Sequence, residues 1–292
     1  MIALSREVEE AIRSRGPVVA LETTLVAHGF PAGEGFAVAL ESEQRVRQAG
    51  AVPATVGVLD GAVRVGLGEA ELERFTSDAR KVGPRDLGAC VVQGAVGATT
   101  VGGTLAACRA AGIGFLATGG IGGVHRGDRL DVSADLGELG RTEALIVCSG
   151  AKSLLDVPAT AELLEALGIP VLGYRTNTLP RFYSATGGPP VSARVETAEE
   201  AARIARVHWG LKRHSALVLT RPPDESLDVD DLIERALSEA EERGVEGPDV
   251  TPFVLARLHE QSGGRTEAAN RDLIAANAQL AGEVAVAYAA AS

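Results

Sequence analysis

The chain is poor in aromatic residues, which make up 3% of its 292 positions, and it has only three cysteines. Cys90, Cys108 and Cys148 stand far apart in apolar stretches. Neither a zinc spacing nor a disulfide framework is suggested, and buried, inert thiols are expected. No apolar run of bilayer length is evident, and residues 1 to 10 carry Arg6, Glu7, Glu9 and Glu10 where a signal peptide would be basic and then apolar. A cytoplasmic location and no membrane partner are expected by default. A basic stripe interleaved with aromatics is also missing, and 28 basic residues face 39 acidic ones for a net charge of −11. That balance argues against polymeric nucleic acid as a partner.

Lysine is the scarcest charged residue. Only Lys81, Lys152 and Lys212 occur among the 28 basic residues; the rest are arginine. An amine that can lose its proton and attack a carbonyl is something only lysine offers. Lys81 and Lys152 both adjoin glycine-rich segments, whereas Lys212 sits in the surface-type cluster Lys212-Arg213-His214.

What is present is a βα pattern. Val18 to Thr24 reads as a strand and Glu34 to Gln48 as a helix stopped by Gly50. Val56 to Leu59 and Ala62 to Val65 flank Asp60-Gly61, the signal for a type I′ hairpin. Helices are expected near Glu69 to Asp78, Thr100 to Ala111, Leu154 to Leu167 and Ala198 to Trp209. Strands are expected at Ile113 to Thr118, Ala144 to Cys148, Val171 to Tyr174 and Ala216 to Thr220. The last third reads as helices over Val229 to Arg243, Pro252 to Gln261 and Glu267 to Ala290, and Thr178 to Pro190 as a mobile loop. The fold class is α/β: a mostly parallel sheet covered by helices, with a hairpin excursion and a helical C-terminal region, in one domain.

Several segments bear chemistry. Gly119-Gly120-Ile121-Gly122-Gly123 follows a strand and is either a tight structural loop or a cradle for phosphate or sugar; His125 stands where a dinucleotide fingerprint needs its third glycine. His125, Arg126, Asp128, Asp131, Ser133 and Asp135 come next. Read as an extended segment, Asp131, Ser133 and Asp135 face one side, a set suited to hydrated Mg²⁺ or Mn²⁺ or simply to a solvated loop. Glu22 ends an apolar strand, where desolvation raises a carboxyl pKa and fits it as a general acid. His28 is either a second acid or a turn residue. Lys81 with Arg85 would clamp a phosphate, and Gly97 to Thr100 opens a helix N-terminus, another anion site. Ser149-Gly150-Ala151-Lys152 follows the strand ending at Cys148. It matches Ser-x-x-Lys of penicillin-recognising acylases but lacks their companion motifs, and equally places a Schiff-base amine at a strand end.

Together these pieces resemble the pseudouridine-5′-phosphate glycosidase family over nearly the whole chain. The matching segments are Ala20 to Thr24 with Ala27-His28-Gly29, Lys81-Val82 with Arg85-Asp86-Leu87, Gly97 to Thr100, Ala117 to Gly127, Asp131 to Leu136, Gly150 to Asp156, Thr251-Pro252-Phe253 and Asn277. The resemblance implies reversible cleavage of pseudouridine 5′-phosphate to uracil and ribose 5-phosphate by a manganese-dependent homotrimer. It casts Lys152 as the nucleophile on C1′, Glu22 as proton donor and Asp131 as the metal ligand. Lys81, Val101, Thr118, His125, Ser133, Ala134 and Asp135 become substrate contacts, and Asn277 a contact to uracil. The chain departs from the pattern at Gly83-Pro84, where polar or basic residues are usual.

Chemistry supports this reading independently. A carbon-carbon glycoside has no leaving heteroatom to protonate, so a pair of carboxylates does not suffice. An open-chain imine at C1′ supplies an electron sink, with C5 of uracil protonated by Asp135 or a metal-bound water. Two other readings stay open: a Schiff-base aldolase on another sugar phosphate, and a non-enzymatic sugar-phosphate-binding regulator.

Overall fold

The computed structural model describes residues 2–31, 33–126, 130–245 and 250–291; Asp128 lies outside them. The chain opens with β1 (Ile2–Leu4) and α1 (Arg6–Arg13), whose N-cap Ser5 accepts from Val8 N–H. β2 (Val18–Glu22) is buried at every position, as a central parallel strand must be. α2 (Thr24–His28) and α3 (Glu34–Gln48) follow. β3 (Val52–Leu59) and β4 (Ala62–Val65) pair antiparallel across Asp60-Gly61, whose φ angles of 51° and 71° suit the expected turn.

α4 (Glu69–Leu72) is a single turn, shorter than the helix read to Asp78. Phe75 leaves the helical path to bury itself with Leu59, Leu67 and Leu72, and Thr76, Ser77 and Asp78 favour turns over helix. Then come β5 (Arg80–Val82), α5 (Leu87–Val92), β6 (Gly97–Thr99) and α6 (Val101–Ala111). β7 (Phe115–Ala117), β8 (Val124–His125), α7 (Ala134–Leu139), β9 (Leu145–Cys148) and β10 (Leu155–Asp156) form the middle of the chain. They are followed by α8 (Val157–Ala166), β11 (Val171–Tyr174), β12 (Ala193–Val195), α9 (Ala198–Gly210) and β13 (Leu217–Thr220). The chain closes with α10 (Asp230–Glu242), α11 (Val250–Gln261) and α12 (Arg265–Ala290).

One sheet of 11 strands runs in the order β1-β4-β3-β2-β7-β9-β13-β11-β12, with β6 on β3 and β5 on β6. From β3 through β2 to β12 every neighbour is parallel. The chain moves from β2 outward to β3 on one side, then returns to place β7 and β9 on the other. The order therefore reverses at β2 and β7, and a crevice opens beyond their carboxyl ends, the place where open parallel sheets bind ligands.

Alternation along each strand divides the core. Val18, Ala20, Leu116, Ile146 and Val218 pack on one face, and Val19, Leu21, Phe115, Val147 and Leu219 on the other. α12 covers the second face with Ala278, Ala281, Val284 and Ala285. By length and composition α12 is the one described helix that could cross a bilayer, contrary to the sequence reading, but 56% of its apolar window is buried inside the protein. It is a core helix. The three cysteines are buried free thiols, and burial pushes Cys108 and Cys148 up to about 12, which leaves them inert.

The segment from Thr178 to Pro190 is not the loose loop expected. Bridges join Thr178 to Pro190 and Gly150 to Arg181, and Leu179, Phe182 and Tyr183 are buried. Its prolines and glycines shape a packed excursion instead of freeing it.

Candidate active site

Three neighbouring strands deliver the central groups. Glu22 is the last residue of β2, Thr118 follows β7, and Lys152 lies in the turn after β9. They line one cavity, together with Lys81 at β5, Gly119 and Gly120.

Glu22 is 6% exposed, Thr118 donates its hydroxyl to Oε1, and Oε2 is buried with no hydrogen-bond partner among the described residues. Burial drives its pKa up, while Lys152, the Thr118 hydroxyl and Lys81 draw it part of the way down and Asp135 pushes it up. Raised in this way, the carboxyl is suited to hold a proton and hand it over, as the sequence reading expected. Lys152 is half-buried; its backbone N–H donates to Ile121 C=O at 3.1 Å, which ties its turn to the glycine-rich loop.

Asp135 does not stand beside Asp131 and Ser133 on one extended face. Ser133 is the N-cap of α7 and accepts from Asp135 N–H at 3.2 Å, so the helix begins here and the two-residue spacing no longer aligns side chains. Asp135 points inward, 4% exposed. Its Oδ1 accepts from Gly102 N–H at 2.7 Å and its Oδ2 from Gly122 N–H at 2.9 Å. The glycine-rich loop and the N-terminus of α6 are thus an anion cradle in part, and the anion is the protein's own carboxylate. A side chain at Gly122 would strike Ser133 and Asp135, which explains the glycine there.

Around α6, Thr100 accepts from Gly103 N–H at 3.2 Å and Asp135 takes Gly102. Val101, the first residue of α6, is fully buried. Ala134 is exposed at the start of α7. Asp131 is also exposed, with His125 Nδ1 3.7 Å from its Oδ2. Among the described residues no group of three His, Cys, Asp or Glu converges to form a protein cage for a metal. Arg85, expected to share a phosphate with Lys81, points outward with 90% of its side chain exposed and pairs with Asp86.

Of the sequence candidates, then, Glu22, Lys81, Thr118 and Lys152 line the cavity, and His28 joins them. Val101, His125, Asp131, Ser133, Ala134, Asp135 and Asn277 do not. Asn277 is wholly buried, and its Nδ2 donates to Thr118 C=O at 2.9 Å and Ser149 Oγ at 3.1 Å. Through these bonds Asn277 fastens α12 to the two loops behind the site, and its own Oδ1 is buried without a partner among the described residues. The amide that faces the cavity is Asn270, two turns earlier, with Oδ1 unpartnered. Its signal was in the sequence, because Asn270, Ile274 and Asn277 recur at four and three residues and share one helix stripe. Phe182 was missed too, hidden in a stretch read as loop.

The family described as indigoidine synthase A like protein matches residues 7–287. A pseudouridine-5′-phosphate glycosidase of Herpetosiphon aurantiacus is 46% identical over 98% of this chain and 97% of its own, and that of Escherichia coli is 42% identical over 99% and 96%. Among solved structures, an indigoidine synthase A like protein of Thermotoga maritima superposes with a TM-score of 0.89 at 40% identity, covering 98% of this chain and 96% of that one. The prealnumycin C-glycosynthase AlnA, solved with ribulose 5-phosphate, gives 0.88 at 39% identity over 100% and 98%. The chain belongs to the indigoidine synthase A like family and, within it, groups with the pseudouridine-5′-phosphate glycosidases that it matches along its whole length.

Proposed function

We propose that the protein is a pseudouridine-5′-phosphate glycosidase, which interconverts pseudouridine 5′-phosphate with uracil and ribose 5-phosphate. The observation that carries this reading is the meeting of Lys152 and a desolvated Glu22 in one cavity, at the ends of the two strands that flank β7. In the cleavage direction the Lys152 amine bonds to C1′ while the ring C1′–O bond breaks, and Glu22 gives its proton to the ring oxygen. The ammonium so formed on Lys152 passes a proton to C5 of uracil, its electron pair expels uracil and leaves an iminium, and water hydrolyses this to ribose 5-phosphate and lysine, whose surplus proton returns to Glu22. Lys81, which lines the cavity, would hold the phosphate through charge-assisted bonds. Asn270, which offers a donor and an acceptor from one planar amide, suits the alternating edge of uracil. Both oxygens of Asp135 already accept backbone N–H groups, so its role is to hold the two loops in register.

Manganese is part of the proposal. The exposed Asp131 carboxylate with His125 beside it fits an ion that keeps most of its waters and takes few protein bonds. Bound there, the ion would supply positive charge to the substrate's oxygens. We also place the protein in the cytoplasm as a homotrimer, on the family resemblance.

Purified protein supplied with Mn²⁺, uracil and ribose 5-phosphate is expected to make a product whose linkage survives acid that cleaves N-glycosides, and chelation should lower the rate. Borohydride added with ribose 5-phosphate alone should fix an adduct that peptide mass mapping places on Lys152. No such product, with an aldehyde acceptor consumed instead, would replace this reading by the aldolase.

A further inference from the structure

Five described residues other than glycine have a positive φ: Arg15, Asp60, Arg175, Phe182 and Lys212. Four of them are exposed in turns or at helix ends, where the conformation has a local reason. Phe182, at φ 62°, is the exception: it is 5% exposed and lines the cavity that holds Lys152 and Glu22. A bulky side chain is disfavoured at this backbone angle and stays there only when its surroundings hold it.

Those surroundings are specific. The Phe182 N–H donates to Ser149 C=O at 3.1 Å, beside the turn that carries Lys152. The ring meets Tyr183 edge-on, with centroids 4.8 Å apart at 85°. On another side it fills the space above Gly120, where an added Cβ would come within 2.8 Å of the ring. Glycine is needed at position 120 because the aromatic ring occupies the room of a side chain. The ring is therefore fixed, and the cavity it lines also takes in the apolar side chains of Leu154, Pro252, Leu255 and Ile274, with Asn270, Ser153 and His28 among its polar members. A sugar phosphate is polar on every side and gains little from such a wall. A planar heterocycle with apolar faces and a polar edge matches it.

We infer that Phe182 is a specificity-determining residue that packs on the face of the uracil ring and so selects a flat aglycone, independently of how the sugar phosphate is held. This rests on the glycosidase reading above and adds the part of the substrate that Phe182 recognises. Base-on-aromatic packing is worth roughly 10- to 100-fold in affinity.

The test is synthesis from uracil and ribose 5-phosphate by full-length Phe182→Leu. KM for uracil should rise roughly 10- to 100-fold, while KM for ribose 5-phosphate and the rate of borohydride labelling stay at the wild-type value; Phe182→Tyr, which keeps the ring, should restore the uracil KM. An unchanged uracil KM overturns the inference, and so does a parallel rise of both KM values, the mark of a merely structural role. Wild-type protein supplies a second measurement that needs no variant. Uracil should inhibit cleavage at least about tenfold better than puckered 5,6-dihydrouracil, which keeps the polar edge but loses the flat face; equal inhibition overturns the inference. If wild-type protein takes no label from ribose 5-phosphate, the glycosidase reading falls and this inference falls with it.

Discussion

At the scale of single residues, the site depends on one carboxyl being kept out of water. Burial raises the Glu22 pKa above that of the same side chain in the unfolded chain, so the native state holds the proton more tightly. Stability drawn from this difference is complete below the ordinary carboxylate range and is lost as pH rises through the native pKa. Each pH unit between the two values counts for about 1.4 kcal/mol. Wild-type protein should therefore lose stability with rising pH over a window that Glu22→Gln lacks, which urea midpoints measured across pH will reveal. The same variant should turn over roughly 10²- to 10⁴-fold more slowly, because an amide cannot protonate the ring oxygen. A Glu22→Gln enzyme with near wild-type turnover would remove Glu22 as the acid. The buried position of Glu22 was legible in the sequence from a single charge closing an apolar strand. That of Asp135 was not, because a period of two was applied where Ser133 starts a helix.

At the scale of elements, Asp135 joins the first turn of α6 to the loop after β7 through its two carboxylate oxygens. Asparagine keeps the shape but turns one acceptor into a donor facing an N–H, so one backbone group loses its partner. Asp135→Asn should cost about 1–3 kcal/mol in chemical denaturation. It should also raise KM for ribose 5-phosphate as Gly102 and Gly122 lose their common anchor; unchanged stability and KM would mean that the loops hold each other without it. Much at this scale was readable beforehand. α3 spans the predicted residues, and the Asp60-Gly61 hairpin forms because its signal is local. The two-residue strands β8 and β10 were not readable. They exist only because Val124 and His125 find Asp156 and Leu155 about 30 residues away, and nothing in four residues of local pattern announces that pairing.

At the scale of the whole molecule, the carboxyl ends of β2, β7 and β9 give the cavity its reactive groups, and α12 closes it from behind. Asn277 is the fastening: its amide donates to the loops after β7 and after β9. Asn277→Ala should leave the Thr118 carbonyl and the Ser149 hydroxyl without that donor, at about 1–3 kcal/mol. Activity should fall with stability, because the same loops carry Thr118 and Lys152; loss of stability with full activity would separate the fastening from the site. The sheet order could not be read from the chain, since it depends on which strands return beside β2. This arrangement also has a consequence for the order of synthesis. Glu22 and Lys152 are made by residue 152, but Asn270 and Ile274, which complete the wall, follow them by more than 100 residues. A partly made chain thus carries Glu22 and Lys152 in the open, and they share an enclosed chamber only when α12 docks.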